Sequence, residues 1–202
     1  WDNVIQLVFV PMYKEDYSIV EATFEALLAS DYPAQSIIPV LCTEERAGEV
    51  ASQTAERLKA KYASQFANFY VTVHPANSVG EVKGKGPNIT FAAREVVPQI
   101  LKTYDATNVL VTTLDADNRV DPQYFSCVSQ AFLDSPDPKH SSYQPLSLYF
   151  NNIWDVPLFI RVVALGASFW VMVQTTRPGH LRNFSAHSQS LEGLMESDYW
   201  SV

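Results

Sequence analysis

Asp115 and Asp117 flank a single alanine at the end of a run of β-formers, Val109 to Val120, which reads VLVTTLDADNRV. Residues two apart in an extended chain point the same way, so a strand end that stays extended puts both carboxylates on one side. The two repel unless a cation lies between them. A hard divalent ion, Mg²⁺ or Mn²⁺, which prefers oxygen ligands, suits that place. The pair also makes a plain solvated turn, and spacing alone leaves both readings open. A second group with chemical potential is Lys83-Gly84-Lys85-Gly86. Two cations stand there where glycines let backbone N–H groups approach a ligand, an arrangement suited to a diphosphate. It lacks the spacing of a P-loop, and no G-x-G-x-x-G follows the first strand, which disfavours a dinucleotide fold.

The elements that must position these residues can be taken in order. Val4 to Val10 (VIQLVFV), bounded by Pro11, has the continuous apolar run of a buried parallel strand. Ser18 is placed to cap a helix over Ile19 to Leu28, which Asp31-Tyr32-Pro33 ends. Ile37 to Cys42 is a second strand, Glu44 to Phe66 a long helical pattern and Phe69 to His74 a third strand. The basic loop then leads into a helix from about Ile89 to Tyr104. The fourth strand ends at the aspartates, and a helix over Pro122 to Leu133 follows. Ser142 to Tyr149 reads as a strand, Asn152 to Gln174 as mainly helical, and Phe184 onward as a polar loop before a short helix near Leu191. Strands alternating with helices predict an α/β fold, a single domain with a mostly parallel sheet flanked by helices. Ligands of such sheets bind beyond the carboxyl ends of the strands, where Pro11, Tyr13, Glu44, Lys85 and the aspartates all fall.

The 202 residues, 47% apolar and 18% charged, give a globular chain with ample core. The net charge of −8 argues against a nucleic-acid partner, which needs a basic footprint. Cys42 and Cys127 stand far apart and read as reduced core thiols of a cytoplasmic domain. Val156 to Val173, interrupted by Pro157 and Arg161, reads as a buried helix rather than a membrane span, with Phe169 and Trp170 in the core. The start at Trp1 and the stop just after Tyr199-Trp200 suggest a piece of a longer, membrane-associated protein whose anchor lies outside this chain.

Together the order is specific: V-x-V-P-x-Y-x-E after the first strand, an acid after the second, K-G-K-G-x-N before a helix, D-A-D after the fourth. This resembles the family 2 glycosyltransferases of GT-A fold over nearly the whole chain. The resemblance implies a nucleotide-binding half over about 1–120 and an acceptor-side half over about 121–202. It implies nucleotide contacts from Pro11, Tyr13, Glu15, Glu44, Lys85 and Asp115, with a Mg²⁺ or Mn²⁺ ion held by Asp117 and Asp115. The donor would be a UDP- or GDP-linked sugar, and the product would form with inversion on a hydroxyl of a saccharide or lipid-linked acceptor. His187 and Ser188 would face the acceptor side.

The chain also departs from the family. Lys14 stands where Asn is usual, Thr43-Glu44-Glu45-Arg46 replaces the usual D-D-x-S-x-D, and Pro87 precedes Asn88 in the lysine loop. The family's catalytic base belongs to a Glu-Asp pair beyond a Gly-Gly-aromatic segment. Ser197-Asp198-Tyr199-Trp200 resembles that segment, so the base is expected beyond Val202. Two other readings are a non-catalytic nucleotide-sugar-binding module and a D-x-D phosphatase, whose motif would normally follow the first strand.

Overall fold

Strand β1 (Ile5–Pro11) is apolar on both faces, and that decides what can surround it. Ile5, Leu7 and Phe9 enter one core and Val8 and Val10 the other. Such a strand must be central and covered twice. The computed structural model, which describes residues 3–76, 78, 80–151, 153–176 and 186–200, places it so. The sheet order is β3-β2-β1-β4-β6-β5, with β2 (Ile37–Glu44), β3 (Tyr70–His74), β4 (Val109–Thr113), β5 (Ser142–Tyr143) and β6 (His187–Ser190). The pairs β1–β2, β1–β4 and β2–β3 are parallel, while β6 runs antiparallel to β4 and β5. The mixed α/β domain with a mostly parallel sheet is thus the expected one.

Helices α1 (Tyr17–Leu28), α2 (Glu49–Tyr62) and α4 (Tyr124–Leu133) cover one face through Phe24, Leu27, Leu58, Tyr62, Phe125 and Phe132. Helices α3 (Lys85–Ile100) and α6 (Leu191–Glu196) cover the other through Ile89, Val96, Ile100, Leu191 and Leu194.

Both faces thus carry helices, and one further helix overturns an expectation. Helix α5 (Leu158–Thr175) forms, but it is not a core helix. Ser168 is its sole buried residue, and Phe169 and Trp170 are 64% and 62% exposed. It is long and apolar enough to cross a membrane by length and composition. Neither of the two core clusters includes a residue of α5, so among the described residues its apolar side chains enter no core.

Other differences have local causes. Strand β6 was expected to be loop because His187-Ser188-Gln189-Ser190 lacks apolar residues; pairing with β4 on one side and β5 on the other holds it in the sheet. Strand β5 is only two residues long, because Pro145 has no N–H to continue the ladder. The long helical pattern after β2 is split. The strand runs to Glu44, a 3-10 turn takes Glu45–Ala47, and Gly48 at φ +84° allows the entry into α2. Asp16, not Ser18, stands at the N-cap position of α1, without a side-chain capping bond. Cys42 is buried, its thiol pushed up to about 12 by burial, whereas Cys127 is exposed on α4 rather than in the core.

Helix α6 is fastened to the loop before β5. Ser190 Oγ donates to Lys139 O at 2.7 Å and accepts from Gly193 N. A Cβ on Gly193 would lie 2.2 Å from Lys139 O, a backbone atom. Gly193→Ala should therefore cost roughly 1–3 kcal/mol, read as a lower midpoint in urea unfolding. His140 bridges Asp137 and Glu196 at the same place, and those two bonds, Asp137 first, raise its pKa above the ordinary histidine value. Its stabilisation is complete below the ordinary value and is lost as pH rises through the raised one. His140→Gln should be less stable than wild type at mildly acidic pH, and the gap should close at alkaline pH. A constant gap would remove the charge from the explanation.

Candidate functional site

Parallel strands β1, β2 and β4 end at one edge, and three loops start there in register. Cys42 O accepts Met12 N–H at 2.8 Å and Asn88 Nδ2 at 3.0 Å, while Leu114 N–H donates to Phe9 O at 2.9 Å. These bonds lock the loop after β1, the end of β2, the first turn of α3 and the end of β4 to each other. The convergence that topology required is observed.

Asp115 and Asp117 do not sit on an extended strand end. They belong to a turn in which Asn118 N–H donates to Asp115 O at 3.0 Å and Asn118 Oδ1 accepts from Asp115 N–H at 3.0 Å. Ala116 is buried between them, and its carbonyl takes Thr23 Oγ1 at 2.7 Å. The turn keeps both carboxylates on the wall of one cavity of about 1230 Å³. Asp117 is exposed and Asp115 half-buried. Lys85 Nζ donates to Asp115 Oδ1 at 2.7 Å, joining the glycine-flanked loop to the aspartate turn.

Helix α3 begins at Lys85, four residues earlier than periodicity predicts. Pro87 fits inside its first turn because those N–H groups have no intrahelical partner. Lys85 is therefore a cation at the positive end of a sixteen-residue helix. Its pairing with Asp115 offsets that unfavourable position, and the helix end itself favours an anion.

A second cavity of about 290 Å³ lies beside the first, lined by Glu44, Arg46, His74, Lys83, Gly84 and Pro87 among others. Glu44, 9% exposed, is bonded by Arg46 Nε, and the Arg46 guanidinium stacks 4.9 Å from the Tyr13 ring. Tyr13 and Glu44, from the first and second strand ends, are thus joined through Arg46. In the sequence, Arg46 stands out only as a departure from the family's pattern. Glu15 accepts from Tyr13 N–H at 2.6 Å and so shapes the loop that follows Pro11, the last residue of β1. His74 pairs with Glu81 at 2.8 Å and meets the Phe91 ring edge-on, which anchors the start of the basic loop. Lys85 stands between the cavities: Gly84 and Pro87 line the smaller, and its own partner Asp115 lines the larger.

His187 and Ser188 line neither cavity. Ser188 is wholly buried and hydrogen-bonds Thr112 Oγ1 at 2.7 Å and the Tyr124 hydroxyl at 2.8 Å, because alternation along β6 turns it inward. Burial raises the Tyr124 pKa. His187, half-buried, contacts Thr113 Oγ1 through Nδ1 at 3.2 Å. The larger cavity's far wall comes instead from Tyr143, Gln144 and Tyr149, with Gln144 Nε2 held by Ala186 O at 2.9 Å. Among the described residues, no three His, Cys, Asp or Glu side chains are gathered as a ready-made metal site.

No protein-family model and no curated protein matches the chain. Solved structures do. The mannosyltransferase PcManGT from Pyrobaculum calidifontis, in complex with GDP-Man and Mn²⁺, is 14% identical with a TM-score of 0.60, over 95% of this chain and 46% of that one. S. aureus TarS 1–349 in complex with UDP-GlcNAc is 14% identical with a TM-score of 0.53, over 98% of this chain and 48% of that one. This chain spans about half the length of either structure. At that identity the likeness establishes the fold, which is GT-A-like, as in these glycosyltransferases.

The turn that aims the aspartates can be tested without any ligand. Asn118→Ala should cost roughly 0.5–1.5 kcal/mol and should speed hydrogen exchange at the Asp115 amide. Unchanged exchange would mean that the turn holds without Asn118.

Proposed function

We propose that this chain is the donor-binding domain of a glycosyltransferase, one that takes a nucleoside-diphosphate sugar and passes the sugar to an acceptor hydroxyl with inversion, in the manner of family 2. The observation that carries the reading is the 2.7 Å contact from Lys85 to Asp115. It joins a basic, glycine-flanked helix start to an aspartate pair at the edge where α/β sheets bind ligands. Similar folds in complex with GDP-Man and with UDP-GlcNAc support the donor class.

The smaller cavity takes the nucleoside in this reading, with Glu44 and Arg46 on its wall and Tyr13 behind Arg46. Lys85 and the first N–H groups of α3 take the diphosphate oxygens, and Lys83 adds charge at the rim. The larger cavity, with Asp115 and Asp117 at one end, holds the sugar and the acceptor.

A divalent ion fits this donor set on chemical grounds. Mg²⁺ and Mn²⁺ bind through one or two carboxylates plus substrate phosphates, and Asp115 and Asp117 supply two carboxylates on one wall, one of them exposed. Bound there, the ion would supply Lewis acidity toward the leaving phosphate. The reaction also needs a carboxylate base to deprotonate the acceptor hydroxyl. Two free cysteines, one of them exposed, suit a domain on the cytoplasmic side of a membrane-associated protein.

Calorimetric titration with UDP and GDP, each with and without Mn²⁺, tests the reading. One nucleotide should bind in a metal-dependent way, and Asp117→Asn should abolish that dependence. Lys85→Ala should weaken the diphosphate roughly ten- to a hundredfold while sparing the nucleoside. Glu44→Ala should weaken the nucleoside itself. Equal losses for diphosphate and nucleoside in Lys85→Ala would remove the phosphate role, and no binding by folded protein would overturn the donor assignment.

A further inference from the structure

Helix α5 reverses the usual pattern of a surface helix. Leu158, Phe159, Val162, Val163, Phe169 and Trp170, each 62–75% exposed, cover its outward half. Its mid-helix serine and its arginine turn away from that face. Ser168 is buried and accepts Tyr149 N–H at 3.1 Å. Arg161, the helix's single charge, folds back to the carbonyls of Val156 and Trp154 at 2.9 and 2.8 Å and lies over the Trp154 ring. An exposed apolar face of this extent marks a surface that meets something other than water.

Three observations identify the occupant as a lipid bilayer. First, the eighteen-residue helix has the mean hydropathy of a membrane segment, 1.6, and at 1.5 Å per residue is about 27 Å long. Second, the outward face carries no charged group, whereas protein interfaces are rimmed by polar residues. Third, no Asp or Glu occurs between Asp155 and Glu192, while Arg161, Arg177 and Arg182 do, in a chain of net charge −8. That local basic balance suits anionic headgroups.

The sheet then decides how the helix meets the bilayer. Ser142 and Tyr143 before it pair with Gln189 and Ser188 after it, so both ends return to one side. If α5 crossed, the nine residues between Thr176 and Ala186, too few for a second membrane helix and including Arg177 and Arg182, would have to carry the chain back. Bilayers do not admit that. We propose that α5 is a monotopic anchor, lying in the plane of one leaflet with its outward half sunk to the acyl boundary.

The anchor is continuous with the site. Leu146, Leu148 and Tyr149, on the segment that leads into α5, line the cavity that holds Asp115 and Asp117. Docking therefore sets that cavity's mouth against the lipid surface. Under the glycosyltransferase reading, on which this clause alone rests, the acceptor is lipid-borne.

The test needs no turnover. The full chain is sedimented with phosphatidylcholine vesicles, with and without phosphatidylglycerol, beside the double variant Val162→Glu/Phe169→Glu. Both substituted residues face outward, so the variant should match wild type in far-UV dichroism and thermal unfolding. Wild type should sediment with both vesicles, more strongly with the anionic ones, and the variant should lose at least tenfold in partitioning. Wild type that stays in the supernatant overturns the proposal. So does a discrete lipid-free dimer, by analytical ultracentrifugation, that the double variant dissociates. Single cysteines at Pro157 and Thr176, in a Cys127→Ser background, check the geometry. An impermeant maleimide outside the vesicles should label both, and protection of one end overturns the in-plane arrangement.

Discussion

The carbonyl oxygen of Cys42 takes two donors, Met12 N–H and Asn88 Nδ2, and the rest of the site depends on that shared acceptor. Parallel strands cannot be joined by tight hairpins, so the loops that leave β1 and enter α3 come from segments distant in sequence. Their positions are not fixed by chain connectivity. Fastening them to one atom of β2 brings the loop after β1 and the start of α3 to the same strand end, beside the cavity that Glu44, Gly84 and Pro87 line. The net free energy of each bond is only about 1 kcal/mol. Its value here is geometric: Lys85 is three residues from Asn88, so the same fastening places the ammonium against Asp115.

Charge is organised around that point. In a chain of net charge −8, Lys83, Lys85 and Arg46 are gathered at the strand ends together with a helix N-terminus. A lysine at the first position of a helix opposes the helix dipole, and the Asp115 carboxylate offsets this. The pair is partly exposed, 28% and 41%, so it contributes little to stability and can be rearranged at small cost. An anionic ligand that takes over the lysine would release Asp115 toward a cation. The contact is thus more than a surface ion pair; it links the two charges that a diphosphate and a divalent ion would separate.

How much of this was legible in the sequence depends on what carried each signal. Strands β1, β2 and β4 are buried on both faces, so their apolar runs announce them and their order predicts the edge where the motifs meet. Strand β6 carried no such signal. Ser188 and Ser190 are buried by virtue of partners, Thr112, Tyr124 and Lys139 O, that lie 50 to 80 residues away in sequence. The aspartate pair was legible and a turn was one of its two readings, but the bond that shapes the turn was not, because Asn118 looks the same as a solvated polar residue until its amide is seen capping Asp115. Arg46 was hidden for a similar reason. It stands outside the expected pattern, and only the fold brings the Tyr13 ring and the Glu44 carboxylate to it.

Helix α5 shows the limit of hydrophobicity as a guide. An apolar run predicts withdrawal from water, but it does not say into what. A core has a finite number of places, and here α1, α2 and α4 on one face and α3 and α6 on the other supply its helical residues, while α5 supplies none. The additional helix keeps its apolar residues outward and turns Ser168 and Arg161 away from that face, the reverse of a helix packed on a core and solvated outside. That inversion separates a core helix from one suited to a non-aqueous surroundings. It becomes visible only once the core clusters are known to leave α5 out. The strand pairing on either side of α5 adds the second constraint: a segment whose two flanks pair with each other in one sheet has both ends on the same side of any boundary it meets.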